Sequence, residues 1–192
     1  NVLYVARSDE KVAKVRAALE KSLDRAVSKG KLSEEDRTAI LGRVEGTTQH
    51  EDLGQVDIVV EAIVEDLDTK KELFRTLDRV CKPGAILATT TSSLSIDVLA
   101  AQTGRPADVI GMHFFNPAPV MKLVEVVTGA QTAQDVTDTT VALCKAVKKH
   151  PVLCGDRAGF IVNFLLFPYL NDAVIAVDEQ LTTIDDLDSL MK

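Results

Sequence analysis

The stretch from Val56 to Thr90, VDIVVEAIVEDLDTKKELFRTLDRVCKPGAILATT, decides the fold class of this chain. Val56–Ile63 is a short apolar run of strand length. Asp66–Val80 has helical spacing, Lys82-Pro83-Gly84 reads as a turn, and Ala85–Thr89 is a second strand. A strand, a helix and a strand in succession imply a right-handed crossover and a parallel pair covered on both faces.

The same alternation extends in both directions. Toward the C-terminus, a helix is expected over Ser95–Thr103, strands over Val109–Met112 and Lys122–Val127, a helix over Thr132–Lys149 and a strand over His150–Cys154. Toward the N-terminus, Val2–Ala6 reads as a buried strand and Ser8 as an N-cap. Val12, Val15, Leu19, Leu23 and Val27 then mark a helix that Gly30 stops. Ser33-Glu34-Glu35-Asp36 opens a shorter helix through Leu41. The register changes near Asp156, where Phe160–Val177 is apolar at helical spacing, and Thr183-Ile184-Asp185-Asp186 caps one more helix. The expectation is an α/β protein with a mostly parallel sheet over 1–154, followed by the start of an all-helical domain over 155–192. An apolar helix with no partner cannot bury all its faces. The chain also begins at Asn1, on an apolar run, so it reads as cut at both ends.

Composition narrows the partners. The 192 residues carry 22 basic and 29 acidic side chains, a net charge of −7, which argues against nucleic acid or an anionic membrane surface as the main partner. No apolar run reaches the ~18 residues of a membrane span, and no secretory leader is apparent. Cys81, Cys144 and Cys154 lack metal-type spacing and fit a reducing compartment: the cytoplasm, or an organelle matrix in a eukaryote. No metal site is expected. None of the ten glycines is spaced as G-x-G.

Candidate chemistry concentrates between Gly111 and Val127. His113 ends a strand, where open α/β sheets place their sites. Glu125 lies twelve residues on, among apolar neighbours, and a buried carboxylate needs a partner. Paired, the two suit general acid–base catalysis; alternatively His113 is a packed core histidine and Glu125 caps another element. Thr89–Ser93 offers hydroxyls for a ligand, or only turns and a cap. Asn163, inside an apolar helix, reaches either the sheet edge or a neighbouring helix. Glu61, Glu65 and Asp66 follow a strand, where they meet a cofactor ribose or only solvent. His50 and His150 read as surface or loop residues.

Together these residues resemble the L-3-hydroxyacyl-CoA dehydrogenases of the 3-hydroxybutyryl-CoA dehydrogenase type. The resemblance rests on Val60–Glu65, Thr91-Ser92-Ser93, His113-Phe114-Phe115-Asn116-Pro117, Lys122–Val126 and Ala158–Asn163, and spans essentially the whole chain. It implies a Rossmann-like sheet and oxidation of (S)-3-hydroxyacyl-CoA to 3-oxoacyl-CoA, or the reverse. It implies His113 as the base, Glu125 as its orienting partner, and Ser92 and Asn163 on the substrate oxygens. Glu65, Lys70, Ser92 and Asn116 match dinucleotide positions; Ser22 and Lys29 match coenzyme A positions. A homodimer through the helical domain is also implied.

The chain departs from the family pattern in lacking the first strand and its Gly-rich G-x-G-x-x-G loop. At the end of the next strand Ala6 and Arg7 stand where the family usually has an acid. An acid there would repel a 2′-phosphate, so the cofactor is NAD or NADP. Two other classes compete: a related hydroxyacid dehydrogenase using a helix Lys, whose motif is absent, and an inactive or structural member that only binds coenzyme A or dinucleotide.

Overall fold

A computed structural model describes residues 1–191; Lys192, the last residue of the expected helical segment 155–192, lies outside them. The chain clusters into two compact units, one of residues 1–57 and 76–83, the other of residues 58–75 and 84–192.

The second unit carries a five-stranded sheet of order β3-β4-β5-β6-β7. Its strands are β3 (Ile58–Glu61), β4 (Ile86–Thr89), β5 (Val109–Phe114), β6 (Leu123–Thr128) and β7 (His150–Gly155). All four residues of β4 are buried, as are Val109–His113 and Val124–Val127. Near-continuous burial is the mark of a sheet covered on both faces. The expected parallel arrangement holds for three of the four pairings, β3–β4, β4–β5 and β6–β7. The β5–β6 pair is antiparallel, because the residues between Phe114 and Leu123 are too few for a crossover.

On one side Ile86, Ala88, Ile110, Met112, Val124 and Val126 pack with Val136 and Cys144 of α5 (Gln134–Ala146). α5 is shorter than its sequence pattern suggests. Lys148 adopts the left-handed conformation (φ 61°) and the Lys149 N–H bonds back to the Cys144 carbonyl, a helix stop normally signalled by glycine. α4 (Ile96–Ala100) is likewise shorter than expected and buries Ile96, Leu99 and Ala100. α3 (Leu67–Val80) starts at Asp66, whose carboxylate accepts the Thr69 N–H at 2.9 Å. The change of register near Asp156 falls where β7 gives way to α6 (Val162–Asp178) and α7 (Ile184–Leu190), the latter capped by Thr183.

The first unit holds β1 (Val2–Val5), α1 (Asp9–Ser28), α2 (Glu34–Leu41) and β2 (Val44–Thr47). Ser8 and Ser33 cap α1 and α2 as expected, accepting from Lys11 N and Asp36 N. β2 is not evident in the sequence pattern, since it is four residues long and contains a glycine. It pairs parallel with β1, and Gly46 is what admits it: a Cβ there would lie 2.5 Å from the Tyr4 ring. The Tyr4 hydroxyl in turn donates to the Val12 carbonyl at 2.9 Å.

Candidate active site

β-sheet register places His113 directly opposite Glu125. Their side chains are 5% and 3% exposed, and His113 Nδ1 lies 2.7 Å from Glu125 Oε2. The other carboxylate oxygen, Oε1, accepts the N–H groups of Ile161 (3.0 Å) and Val162 (2.9 Å), at the start of α6. Those are N–H groups that a helix start leaves without internal partners. Glu125 therefore holds an imidazole with one oxygen and a helix N-terminus with the other. An ionised Glu125 draws the ring proton to Nδ1, which leaves the Nε2 lone pair available. Nε2 has no hydrogen-bond partner among the described residues.

Aromatic rings set the imidazole plane. Phe115 lies 4.7 Å from it, centroid to centroid, and Phe160 5.6 Å, both tilted. Phe160 is fully buried at φ 48°, beside Gly159 at φ 75°. A Cβ on Gly159 would meet Phe164 N at 3.0 Å, so the chain turns from β7 into α6 in a conformation that glycine tolerates best. Non-glycine residues in this region are uncommon and cluster at functional sites. Cys154 also senses the site: burial, then the Glu125 charge, pushes its thiol up to about 11.

The Thr89–Ser93 run divides its hydroxyls. Thr89 donates to Glu61 at 2.7 Å, and Thr91 donates to Glu65 while accepting the Ser93 and Leu94 N–H groups. Ser95 caps α4 and donates to Asp156 Oδ2 at 2.7 Å. The Ser92 hydroxyl has no hydrogen-bond partner among the described residues. Asn163 Nδ2 approaches the Ser92 carbonyl at 3.4 Å, and the Ser92 N–H donates to Glu65 at 2.9 Å. Burial alone would raise the Glu65 carboxyl; the Thr91 hydroxyl, the Ser92 N–H and the Lys70 ammonium outweigh it and hold that group below its ordinary value.

A shallow, mostly apolar cleft of ≈ 310 Å³ adjoins Asn163, lined by Ser93, Gly159, Phe164 and Phe167 among others. Asn116 is exposed just after β5. Lys70 is not at the surface: its side chain is 1% exposed and paired with Glu61. Ala6, Arg7, Ser22 and Lys29 belong to the first unit. There Ala6 N extends the β1–β2 ladder to Thr47 O at 2.9 Å, and Arg7 is exposed. Ser22 and Lys29, both exposed on or at the end of α1, are seven residues apart and so lie on one face two turns apart.

Sequence reasoning quoted Phe115, Gly159 and Phe160 within motifs and Asp156 as a change of register, but gave no role to the first three, which shape the imidazole pocket, or to Asp156, which ties α4 to β7. An isolated phenylalanine carries no sequence signal that separates ring-stacking from core packing. No group of three or more His, Cys, Asp or Glu among the described residues could hold a metal ion. No helix among them is long and apolar enough to cross a membrane.

Comparison with known proteins identifies the family. Residues 1–157 match the family described as 3-hydroxyacyl-CoA dehydrogenase, NAD binding domain. The 3-hydroxybutyryl-CoA dehydrogenase of Clostridioides difficile is 43% identical over 192 residues, covering 100% of this chain and 68% of that protein. That of Mycobacterium tuberculosis (strain CDC 1551 / Oshkosh) is 45% identical over 175 residues, 90% of this chain and 61% of the relative. Among solved structures, the (S)-3-hydroxybutyryl-CoA dehydrogenase of Ralstonia eutropha superposes with a TM-score of 0.94 at 41% identity, covering 97% of this chain and 66% of that one. The chain belongs to the 3-hydroxyacyl-CoA dehydrogenase family. It spans between 61% and 68% of the length of those curated relatives.

Proposed function

We propose that the protein oxidises the 3-hydroxyl of an (S)-3-hydroxyacyl-CoA to the ketone, and reduces 3-oxoacyl-CoA in the reverse direction. The observation that carries this reading is the buried His113–Glu125 pair with Nε2 left open. His113 Nε2 takes the hydroxyl proton as the carbonyl forms, and returns it in reduction. Glu125 stabilises the imidazolium so produced and keeps the ring from turning. Ser92 Oγ and Asn163 hold the substrate oxygens, and the cleft beside Phe164 and Phe167 receives apolar acyl carbons.

The carboxyl ends of β3, β4 and β5 carry Glu65, Ser92 and Asn116, a set of carboxylate, hydroxyl and amide that fits the polar groups of a nicotinamide riboside. NAD, when bound there, supplies the acceptor for the hydride that leaves C3. Glu65, Ser92 and Asn116 would hold it, with Lys70 behind Glu65; Ala6 and Arg7 match the family's adenosine-ribose positions. Ser22 and Lys29 would meet coenzyme A, Lys29 as a cation opposite phosphate. Arg7 also suits a 2′-phosphate, which supports NADP as a second reading. Initial rates with NADH and NADPH separate the two, and a strong NADH preference discards NADP.

We further propose that 155–192 opens a helical domain through which two copies pair. Phe164, Leu165, Phe167, Tyr169 and Val174 of α6 are 41–67% exposed, which supports a covered face. Sedimentation of the full-length protein tests this, and a monomer at micromolar concentration overturns it. The three cysteines, which lack metal-type spacing, support a reducing compartment, cytoplasm or organelle matrix. The function is tested by following reduced-cofactor absorbance with acetoacetyl-CoA, in wild type and His113→Ala. Full activity of the variant removes His113 as the base.

A further inference from the structure

Lys70 Nζ lies 2.7 Å from Glu61 Oε1 and 3.4 Å from Glu65 Oε2. The Lys70 and Glu61 side chains are 1% and 0% exposed, whereas Glu65 is 41% exposed. Glu61 has no freedom to move: Oε1 also accepts the Ile63 N–H at 2.6 Å, and Oε2 accepts the Thr89 hydroxyl at 2.7 Å. One ammonium is thus fixed by a buried carboxylate and turned toward a second one that reaches solvent. That second carboxylate grips the Thr91 hydroxyl and the Ser92 N–H, and the Ser92 carbonyl faces Asn163 Nδ2.

We propose that Glu61 is a positioning residue, acting through Lys70 and Glu65 to fix the Thr91–Ser92 backbone in the place where Ser92 meets substrate. The proposal rests on the reading of Ser92 given above. A buried ion pair used only to fasten β3 to α3 is replaceable by apolar side chains of similar volume, often without loss of stability. Charge is required for a different task. Glu65 is partly buried and must stay ionised to accept two hydrogen bonds, and a nearby fixed cation favours that form. Glu61 keeps the cation there: the Lys70 ammonium is itself out of water and needs a full-time partner.

The test uses the full-length protein and three variants, Glu61→Gln, Lys70→Met and the two combined. Three quantities are read: the unfolding midpoint, hydrogen exchange of the Ser92 amide, and the Glu65 titration midpoint followed through the Ser92 amide resonance. Glu61→Gln is isosteric but removes the charge that keeps the ammonium in place, so the Glu65 midpoint moves up and Ser92 exchange quickens. Lys70→Met moves it up and speeds Ser92 exchange about tenfold or more. The combined variant recovers most of the unfolding midpoint, yet Ser92 exchange stays fast and the Glu65 midpoint stays high. Full recovery of Ser92 exchange in the combined variant reduces the pair to an anchor and overturns the proposal. A Glu65 midpoint that falls or stays put in Glu61→Gln overturns it as well, and that variant decides alone if the others fail to fold. None of these readouts needs turnover. A wild-type protein inactive on 3-hydroxyacyl thioesters would end the functional reading, while the resonance data would still judge the positioning role.

Discussion

Two buried carboxylates of the same sheet, Glu61 and Glu125, each hold one side-chain nitrogen partner, and the two pairs are finished differently. Lys70–Glu61 is closed: the Glu61 oxygens are all engaged, and the ammonium faces only carboxylates. His113–Glu125 is closed on the carboxylate side and open at Nε2. Burial in each case makes the partner obligatory, since an unpaired charge inside a protein is costly. What distinguishes the two pairs is one atom left without a protein partner among the described residues. A closed pair can only hold geometry; an open one can exchange a proton.

Breaking the open pair has the largest effect. His113→Ala lowers kcat by about 10²–10⁴-fold with the fold retained, as steady-state rates and circular dichroism would record. Glu125→Ala loses a comparable factor and also destabilises the fold by about 1–3 kcal/mol. It strands the imidazole N–H and two helix N–H groups at once. An unchanged denaturation midpoint in Glu125→Ala would contradict the double role of Glu125.

Trimming the closed pair costs less. Thr89→Val removes the donor to Glu61 and the acceptor of the Thr91 N–H, and destabilises by about 1–3 kcal/mol in urea melts. Glu65 gives a pH signature. Its folded carboxyl sits below the ordinary value of 4.5, so the unfolded chain binds its proton first as pH falls. The stability it contributes is present above that value and is lost as pH drops through the folded midpoint. Acid titration of the unfolding midpoint in wild type and Glu65→Gln measures the difference, and parallel curves would remove this contribution. The smallest effect is at Cys154, whose thiol at about 11 reacts slowly with alkylating agents at neutral pH. Glu125→Gln removes a negative neighbour and shifts the alkylation profile to lower pH.

Much of the site was legible before the fold was known. His113 at a strand end and Glu125 in an apolar run point to each other because a buried carboxylate must find a partner. The Ser8 and Ser33 caps follow from residue type alone. Other features were not legible. Lys70 sits on a helix with charged neighbours, and no local pattern says that its ammonium is buried against Glu61 of the preceding strand. β2 hides behind Gly46, whose missing Cβ makes sense only beneath Tyr4. The end of α5 at Lys148 has no glycine to announce it.

By itself, the sequence determined the strand–helix alternation, the helix starts and the residue types able to do acid–base work, because these depend on local periodicity and side-chain chemistry. Only the tertiary structure decided which polar atoms are used up and which stay available. It set Glu125 across from His113 through an antiparallel register and gave its second oxygen to α6. It also drew Lys70 inward and left the Ser92 hydroxyl and His113 Nε2 without protein partners among the described residues. Those outcomes depend on pairings between distant residues, and no local pattern encodes which hydrogen bonds a fold will complete.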